Sequence, residues 1–420
     1  MQRRLIIFFI VSAAFALTLF ERLSLAAIAG PLMAQYQLNA AQLGSLGSSF
    51  FYIYALMQIP VGIILDRWGA RRLLTLLLAI AAAGSFLFAL APHYGWLLLG
   101  RALTGVGFCA AFISGLKLLS SWFPPKDLAL WNGLFLAVSD AGMLLAGRPL
   151  VEASQRIGWS AVFVVAGALT ALTAGAVWLW VRDEPAEIGL PAVNLRPPAP
   201  RRSVLRDLLE IARLPLVWLM GAAFFCLSGI QISFQAVWAG PYLTDVYGLA
   251  PAVVGNLLML IPIGQVAGNL VLGGIADRLL RSRSLTTVLG VALYAALWIP
   301  LGIAAAGFSR AGLVLLYGGG FGFLWSAVML AYPIMRERFP VQQANTATGA
   351  VNLLSIMGGA MLQQLFGALI NRFPRAGSVY PSAAYQLAFS LGLALACVGF
   401  FVLAAGILWQ PARRPVEERA

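Results

Sequence analysis

Seven charged residues interrupt otherwise apolar runs: Glu21, Arg22, Arg101, Lys117, Asp140, Arg148 and Glu152. A charge inside such a run costs roughly 3 kcal/mol on insertion scales, so it pairs with another group or faces a polar cavity. Arg22 carries a planar fork of donors that suits a carboxylate. Glu21 is its chain neighbour, about 100° away around a helix. It is placed to hold Arg22 when the fork is empty, to carry an exchangeable proton, or to form a structural pair near the end of the run. Asp140 has no basic residue within four positions on either side. A carboxylate so placed is suited to bind and release a proton, or to bond a neighbouring helix and support the fold. Arg148 and Glu152 have the i, i+4 spacing of an ion pair on one helix face. Arg148 also lies eight positions from Asp140, roughly on its face. Arg101 follows Trp96 and Lys117 precedes Trp122 by five residues, spacings that let both heads snorkel toward an aqueous edge.

The second half of the chain has amides where the first has charges. Gln231 and Gln235 are four apart, as are Gln265 and Asn269, and Asn352 lies close to Ser355. Each set shares a helix face. Trp238, Trp325 and Tyr332 are the aromatic walls expected beside them. Amides of this kind either bind a polar solute or bridge neighbouring helices, the latter typically for about 0.6 kcal/mol.

The elements that position these residues follow from composition. The chain is 61% hydrophobic and 10% charged, with mean hydropathy +0.87. A soluble domain carries roughly a quarter charged residues, so this composition belongs in lipid. Twelve apolar runs have the length to cross a bilayer: 5–33, 41–65, 72–91, 95–121, 128–153, 158–181, 214–240, 251–276, 284–306, 311–335, 342–371 and 380–409. The run that starts behind Arg3 and Arg4 continues past the length of a signal peptide without a small-x-small cleavage site, and is read as the first membrane helix. The stretch 182–213, with five prolines and six arginines, splits the chain into a six-helix half at 1–181 and a second at 214–409, with a tail at 410–420. The fold class expected is an all-α integral membrane protein of twelve transmembrane helices in two pseudo-symmetric halves.

The net charge of +13 does not read as nucleic-acid binding, because no basic patch carries interleaved aromatics. Cys109, Cys226 and Cys397 lie in apolar runs with no metal-pair spacing, and His93 is the single histidine. Neither a metal cluster nor a nucleophile–base set is expected, nor any cofactor, and the chain is not read as an enzyme. No nucleotide-binding loop is present, so ATP is not the expected direct energy source.

Two charged loops repeat. Gly62-Ile-Ile-Leu-Asp66-Arg67-Trp-Gly69-Ala-Arg71-Arg72 and Gly273-Gly-Ile-Ala-Asp277-Arg278 each join the second and third helices of a half. The glycines are expected to let neighbouring helices approach closely, and each Asp to meet a helix N-terminus or an arginine across the mouth of the molecule, as a conformational latch. With both termini placed on the cytoplasmic side, 20 Lys and Arg residues face the cytoplasm and 4 face outward. That asymmetry sets the orientation.

The loop motif, its repetition at half-chain spacing and the six-plus-six pattern resemble the major facilitator superfamily over almost the whole chain. Arg101-Ala-Leu-Thr-Gly105-Val-Gly107 is similar to the helix 4 signature of that family, which implies a gating or coupling role for Arg101 beside Gly62, Asp66, Arg67, Gly69, Arg71, Asp277 and Arg278. Glu21-Arg22-Leu-Ser-Leu resembles the start of organic-anion:cation symporters. Tyr54-Ala-Leu-Met-Gln-Ile-Pro60 and Trp122-Phe-Pro124 are similar to segments of that group, of sugar-phosphate permeases and of nutrient importers of intracellular bacteria. The resemblance implies a monomeric transporter of the bacterial inner membrane, working by alternating access about a site between the halves. The expected partners are the lipid bilayer, protons and a small-molecule substrate, an anion or zwitterion. Arg22 and Gln231, Gln235, Gln265, Asn269, Asn352, Trp325 and Tyr332 would bind the solute. Asp140 or Glu21 would carry the proton, with Lys117, Arg148 and Glu152 in a second rank. Proton-coupled import is the direction expected. The alternatives are an efflux antiporter, for which Gly133 and Gly142 keep part of the helix 5 glycine spacing, and a permease-like sensor that binds without transport.

Overall fold

A computed structural model of the chain describes residues 2–191, 193, 210–339, 344–377 and 379–408. The tail 410–420 and most of the linker expected at 182–213 lie outside the described residues. Twelve helices among the described residues are long and apolar enough to cross a membrane. They are α1 Gln2–Tyr36, α2 Ala40–Trp68, α3 Ala70–Ala89, α4 Tyr94–Trp122, α5 Pro125–Leu145, α6 Trp159–Trp180, α7 Pro215–Tyr247, α8 Pro251–Leu279, α9 Arg283–Ile303, α10 Arg310–Arg338, α11 Thr346–Ile370 and α12 Ser382–Leu408. Helices are the solution because hydrocarbon offers no partner for backbone polar groups, and a helix satisfies them within the segment.

One expected run is interrupted. The span expected at 128–153 ends at Leu145, and Gly147 leaves helical geometry at φ −91°, ψ −124°. A separate helix, Arg148–Ile157, follows with Pro149 in its first turn. The proline supplies the reason, since it lacks an N–H and suits a helix start better than an interior. Arg148 therefore does not continue the face of Asp140. Other helices bend rather than stop. The glycine-rich stretch Gly318–Gly322 lies in a π-helical segment, Leu315–Leu324, and Phe234–Trp238 in α7 is a second one.

The two halves meet at one end of the molecule. There α7 packs on α1 and α11 on α2 with their backbones nearly touching. A Cβ at Gly240 would run into the carbonyl oxygen of Ala26, and one at Gly367 into that of Ala40. The loop after α11 straps across the same end. Tyr380 Oη accepts from the Ala40 amide at 2.9 Å, and Arg375 donates to the Leu38 carbonyl at 2.9 Å. Asp245 anchors that loop to α7, accepting from Tyr385 Oη at 2.8 Å and the Tyr380 amide at 3.1 Å.

The opposite end, which bears the repeated charged loops, is different. Asp66 accepts from Lys117 Nζ at 3.1 Å, and Asp277 from Arg283 Nε at 3.1 Å. Both aspartates thus pair with a basic side chain inside their own half, where the sequence led us to expect a helix N-terminus or an arginine across the mouth. Nor do Gly62 and Gly273 mark close approaches in this conformation, because a Cβ at either would meet nothing within 4 Å. The glycine with a steric reason is Gly69, at φ 80° against the Asp183 carboxylate. Asp183 accepts from the Arg71 amide at 2.9 Å and so caps α3, while the Arg71 guanidinium donates to the Trp178 carbonyl and stacks on the Trp178 ring.

The sealed end yields a first prediction. Gly240→Val should prevent the close α1–α7 contact and shift the protein toward a conformation opened at that end. A cysteine placed at buried Leu38 should then react with a maleimide several-fold faster than in the parent. Gly62→Val, with open space around it, should leave the rate unchanged. Equal rates in both variants would refute the role given to Gly240.

Candidate functional site

A cavity of about 430 Å³ lies between the halves. Its walls come from α1, α2, α4 and α5 on one side and α7, α8, α10 and α11 on the other. Each half thus turns four helices inward and keeps two at its back.

Arg22 and Asp140 line the first-half wall. The Arg22 guanidinium sits over the rings of Phe51 and Tyr54, at 5.3 and 5.8 Å from their centroids. Among the described residues no hydrogen bond or ion pair engages the side chain of either Arg22 or Asp140. Asp140 lies within α5, where its carbonyl accepts from the Met143 and Leu144 amides. The second-half wall holds Gln231, Gln235, Gln265, Asn269, Trp325, Tyr332 and Asn352. All eight residues named from the sequence as solute-binding candidates, with Asp140, therefore surround one cavity.

The amides differ in how much capacity they have left. Gln231 is buried and engaged at both ends: Nε2 donates to the Phe321 carbonyl at 3.0 Å and to Gln235 Oε1 at 3.3 Å, while Oε1 accepts from Tyr294 Oη at 3.0 Å. Gln265 Nε2 also donates to Gln235 Oε1, at 3.3 Å. Tyr332 Oη reaches Asn352 Oδ1 at 3.5 Å.

Other charged residues lie elsewhere. Glu21 faces away from the cavity and does not hold Arg22. Its carboxylate accepts from Ser85 Oγ at 2.8 Å and from Arg101 at 3.4 Å, and its carbonyl accepts from Arg101 at 2.9 Å. Both side chains are buried at about 1% exposure, so Arg101 does not snorkel to an edge. It is turned inward because the buried carboxylate of Glu21 on α1 offers it a charge partner, and because the ring of Phe50 lies 5.0 Å from its guanidinium. Lys117 ends at the charged loop, donating to the Leu65 carbonyl as well as to Asp66. Arg148 bonds Glu152 at 2.6 Å and also reaches Asn256 of α8 at 3.3 Å. The Arg148 hydrogen bond holds the Glu152 carboxyl below the usual carboxylate range. Trp238 is packed behind the wall, bonded to the Gln363 carbonyl.

Sequence reasoning missed the aromatic residues on the first-half wall, Phe15, Phe51, Tyr54 and Phe112. Apolar side chains in apolar helices carry little signal of their own. Phe15 and Leu19, seven and three residues before Arg22, share its helix face, and that spacing was the available clue.

The sequence profile described as Major Facilitator Superfamily matches residues 6–362. The chain belongs to the major facilitator superfamily. It is 25% identical over 390 residues to a probable sulfoacetate transporter of Cupriavidus necator, covering 89% of this chain and 86% of that one. It is 24% identical over 378 residues to a membrane sensor protein, UhpC, of Salmonella typhimurium, covering 83% and 81%. Two other curated relatives match over only 18% and 38% of their own length. A bacterial homologue of the human lysosomal transporter Spinster, solved in an inward-facing and unoccupied conformation, superposes with TM-score 0.74 at 19% identity over 98% of this chain and 99% of that one. Family and fold together make this a multi-pass integral membrane protein of a transporter superfamily, with the cavity between its halves.

The Glu21–Arg101 pair supports a prediction about the stability of the chain. Removing one partner of a buried ion pair strands the other and costs roughly 3–5 kcal/mol. Glu21→Gln and Arg101→Met should each lower the thermal unfolding midpoint markedly in detergent. The double variant Glu21→Leu/Arg101→Met should recover part of the loss. A double variant at least as unstable as the worse single one would contradict the pairing.

Proposed function

We propose that this protein moves a small organic anion or zwitterion across the bacterial inner membrane by alternating access, coupled to protons and in the direction of import. The observation that carries the reading is the company in the cavity: Arg22 and Asp140, opposite in charge and each without a partner among the described residues, face a wall of amides. Arg22 binds the carboxylate of the solute through its donor fork. Asp140 takes up and releases the proton, because its charge is the one in the cavity that a proton can cancel. Glu21, engaged by Ser85 and Arg101, is the weaker candidate for that role. The charged loops and Arg101 act in gating. Asp66, Arg67, Gly69, Arg71, Asp277 and Arg278 sit at the end that opens and closes, and Arg101 fixes α4 to α1 inside the first half.

The excess of Lys and Arg at the end bearing these loops supports its assignment to the cytoplasm, with both termini there. The conformation described, sealed at the end of Tyr380, then faces inward. The relative named a membrane sensor supports a second reading, in which the solute binds without net movement. Counterflow of labelled solute separates the two.

The coupling assignment is tested in proteoliposomes. Asp140→Asn copies the protonated carboxyl in shape and charge. Exchange of labelled for unlabelled solute uses only loaded states and should survive, whereas uptake driven by an imposed pH gradient should fall to background. Gradient-driven uptake that persists in the variant moves the proton site elsewhere. Arg22→Lys keeps the charge but loses the two-pronged geometry, and should weaken an anionic solute by roughly tenfold or more. Equal affinity by calorimetry would remove the carboxylate role.

A further inference from the structure

The orientation of one cavity amide is dictated by a chain of hydrogen bonds that starts at a backbone carbonyl. The Phe321 oxygen can only accept, so the atom of Gln231 that meets it at 3.0 Å is the donor Nε2. The same Nε2 meets Gln235 at 3.3 Å, so the facing atom of Gln235 is its oxygen. Gln265 meets that oxygen too, and must present its own Nε2. Tyr294 Oη, donating to Gln231 Oε1 at 3.0 Å, fixes the first link from the other side. An amide flip at any link would set donor against donor or acceptor against acceptor.

The consequence falls on Gln235. Its oxygen already takes two donors. Its Nε2 has no hydrogen-bond partner among the described residues, and it is not one of the atoms sealed from access. This residue lines the same cavity as Arg22. We infer that Gln235 is a specificity-determining residue whose pinned N–H donors select a solute with an oxygen acceptor away from the carboxylate held by Arg22: a hydroxy acid or dicarboxylate rather than an amino acid with a distal ammonium. An ammonium has three donors and no acceptor, so at Gln235 it meets N–H against N–H. Gln231 and Tyr294 are positioning residues that act through Gln235. The inference rests on the reading that Arg22 takes a carboxylate.

The test is titration calorimetry on the purified full-length chain with matched acids: 4-hydroxybutanoate and succinate against 4-aminobutanoate, with the analogous sets one methylene shorter and one longer. Wild-type protein should bind the oxygen-ended member roughly tenfold or more tightly in at least one set, the worth of a hydrogen bond involving a charged group. Gln235→Glu keeps the accepting oxygen for Gln231 and Gln265 but replaces the free N–H donors with a second acceptor. It should erase or invert that ratio. Gln231→Met, which unpins Gln235, should bring the ratio toward one, whereas a purely structural role would weaken both members alike. Equal binding within every set in wild type, or a ratio unchanged in Gln235→Glu, overturns the inference. Tighter binding of the amino member also overturns it, and loss of that preference in Asp140→Asn would assign the ammonium to Asp140. If every acid binds but without preference, and Arg22→Leu abolishes binding, the carboxylate reading stands and this inference falls. If no acid binds wild type, both fall.

Discussion

Hydrocarbon offers no hydrogen bonds, and that constraint governs this molecule. A helix satisfies its backbone polar groups within the segment, and a charge at depth must find a destination within the protein. Two destinations are used. Glu21 and Arg101 neutralise each other behind the cavity, with Ser85 as a third partner. Arg22 and Asp140 line the cavity instead, where solvent or solute can reach them. The first arrangement fixes three helices of one half to each other. The second leaves two charges available for chemistry.

The same constraint separates strong contacts from weak ones. The ion pairs Glu21–Arg101, Lys117–Asp66 and Arg283–Asp277 each stay within one half. Across the halves the described polar contacts are hydrogen bonds such as Tyr380 to Ala40, Arg375 to Leu38 and Arg148 to Asn256, beside close backbone packing. A typical hydrogen bond is worth about 1 kcal/mol net. Among the described residues, these contacts between the halves are individually modest, and none of the three ion pairs above spans them. Each of these three ion pairs is satisfied within its own half, independently of the contacts between the halves.

Much of this was legible in the sequence. Helix length and number follow from bilayer thickness, so twelve apolar runs became twelve spans with ends displaced by a few residues. A polar residue stands out in an apolar run because it is costly there, which is why Arg22, Asp140 and the second-half amides were picked out, and all of them line the cavity. What was not legible depends on partners distant in sequence. Arg101 read as a snorkelling residue because Glu21, 80 positions away, cannot be seen from its own helix. Asp183 as the cap of α3 is separated from Arg71 by 112 residues. The break at Gly147 had a local signal in Pro149, outweighed by the apolar character of the run around it.

The aromatic residues that sequence reading missed explain how Arg22 can stay unpaired. A guanidinium stripped of water and left bare would be costly, and a carboxylate partner would occupy the fork that a solute needs. Stacking resolves the conflict. Phe51 and Tyr54 cover Arg22 through its ring-facing side, an attraction of roughly 0.5–2 kcal/mol that grows as water is excluded. The N–H donors lie in the plane of the guanidinium, pointing outward from its edge, and a ring on its face does not consume them. Arg22 is therefore stabilised and still open to a two-pronged acceptor. Asp140 has no equivalent device, since the face of an aromatic ring repels an anion. Its charge has no such cover, and so the two unpaired residues of one cavity stand in different surroundings.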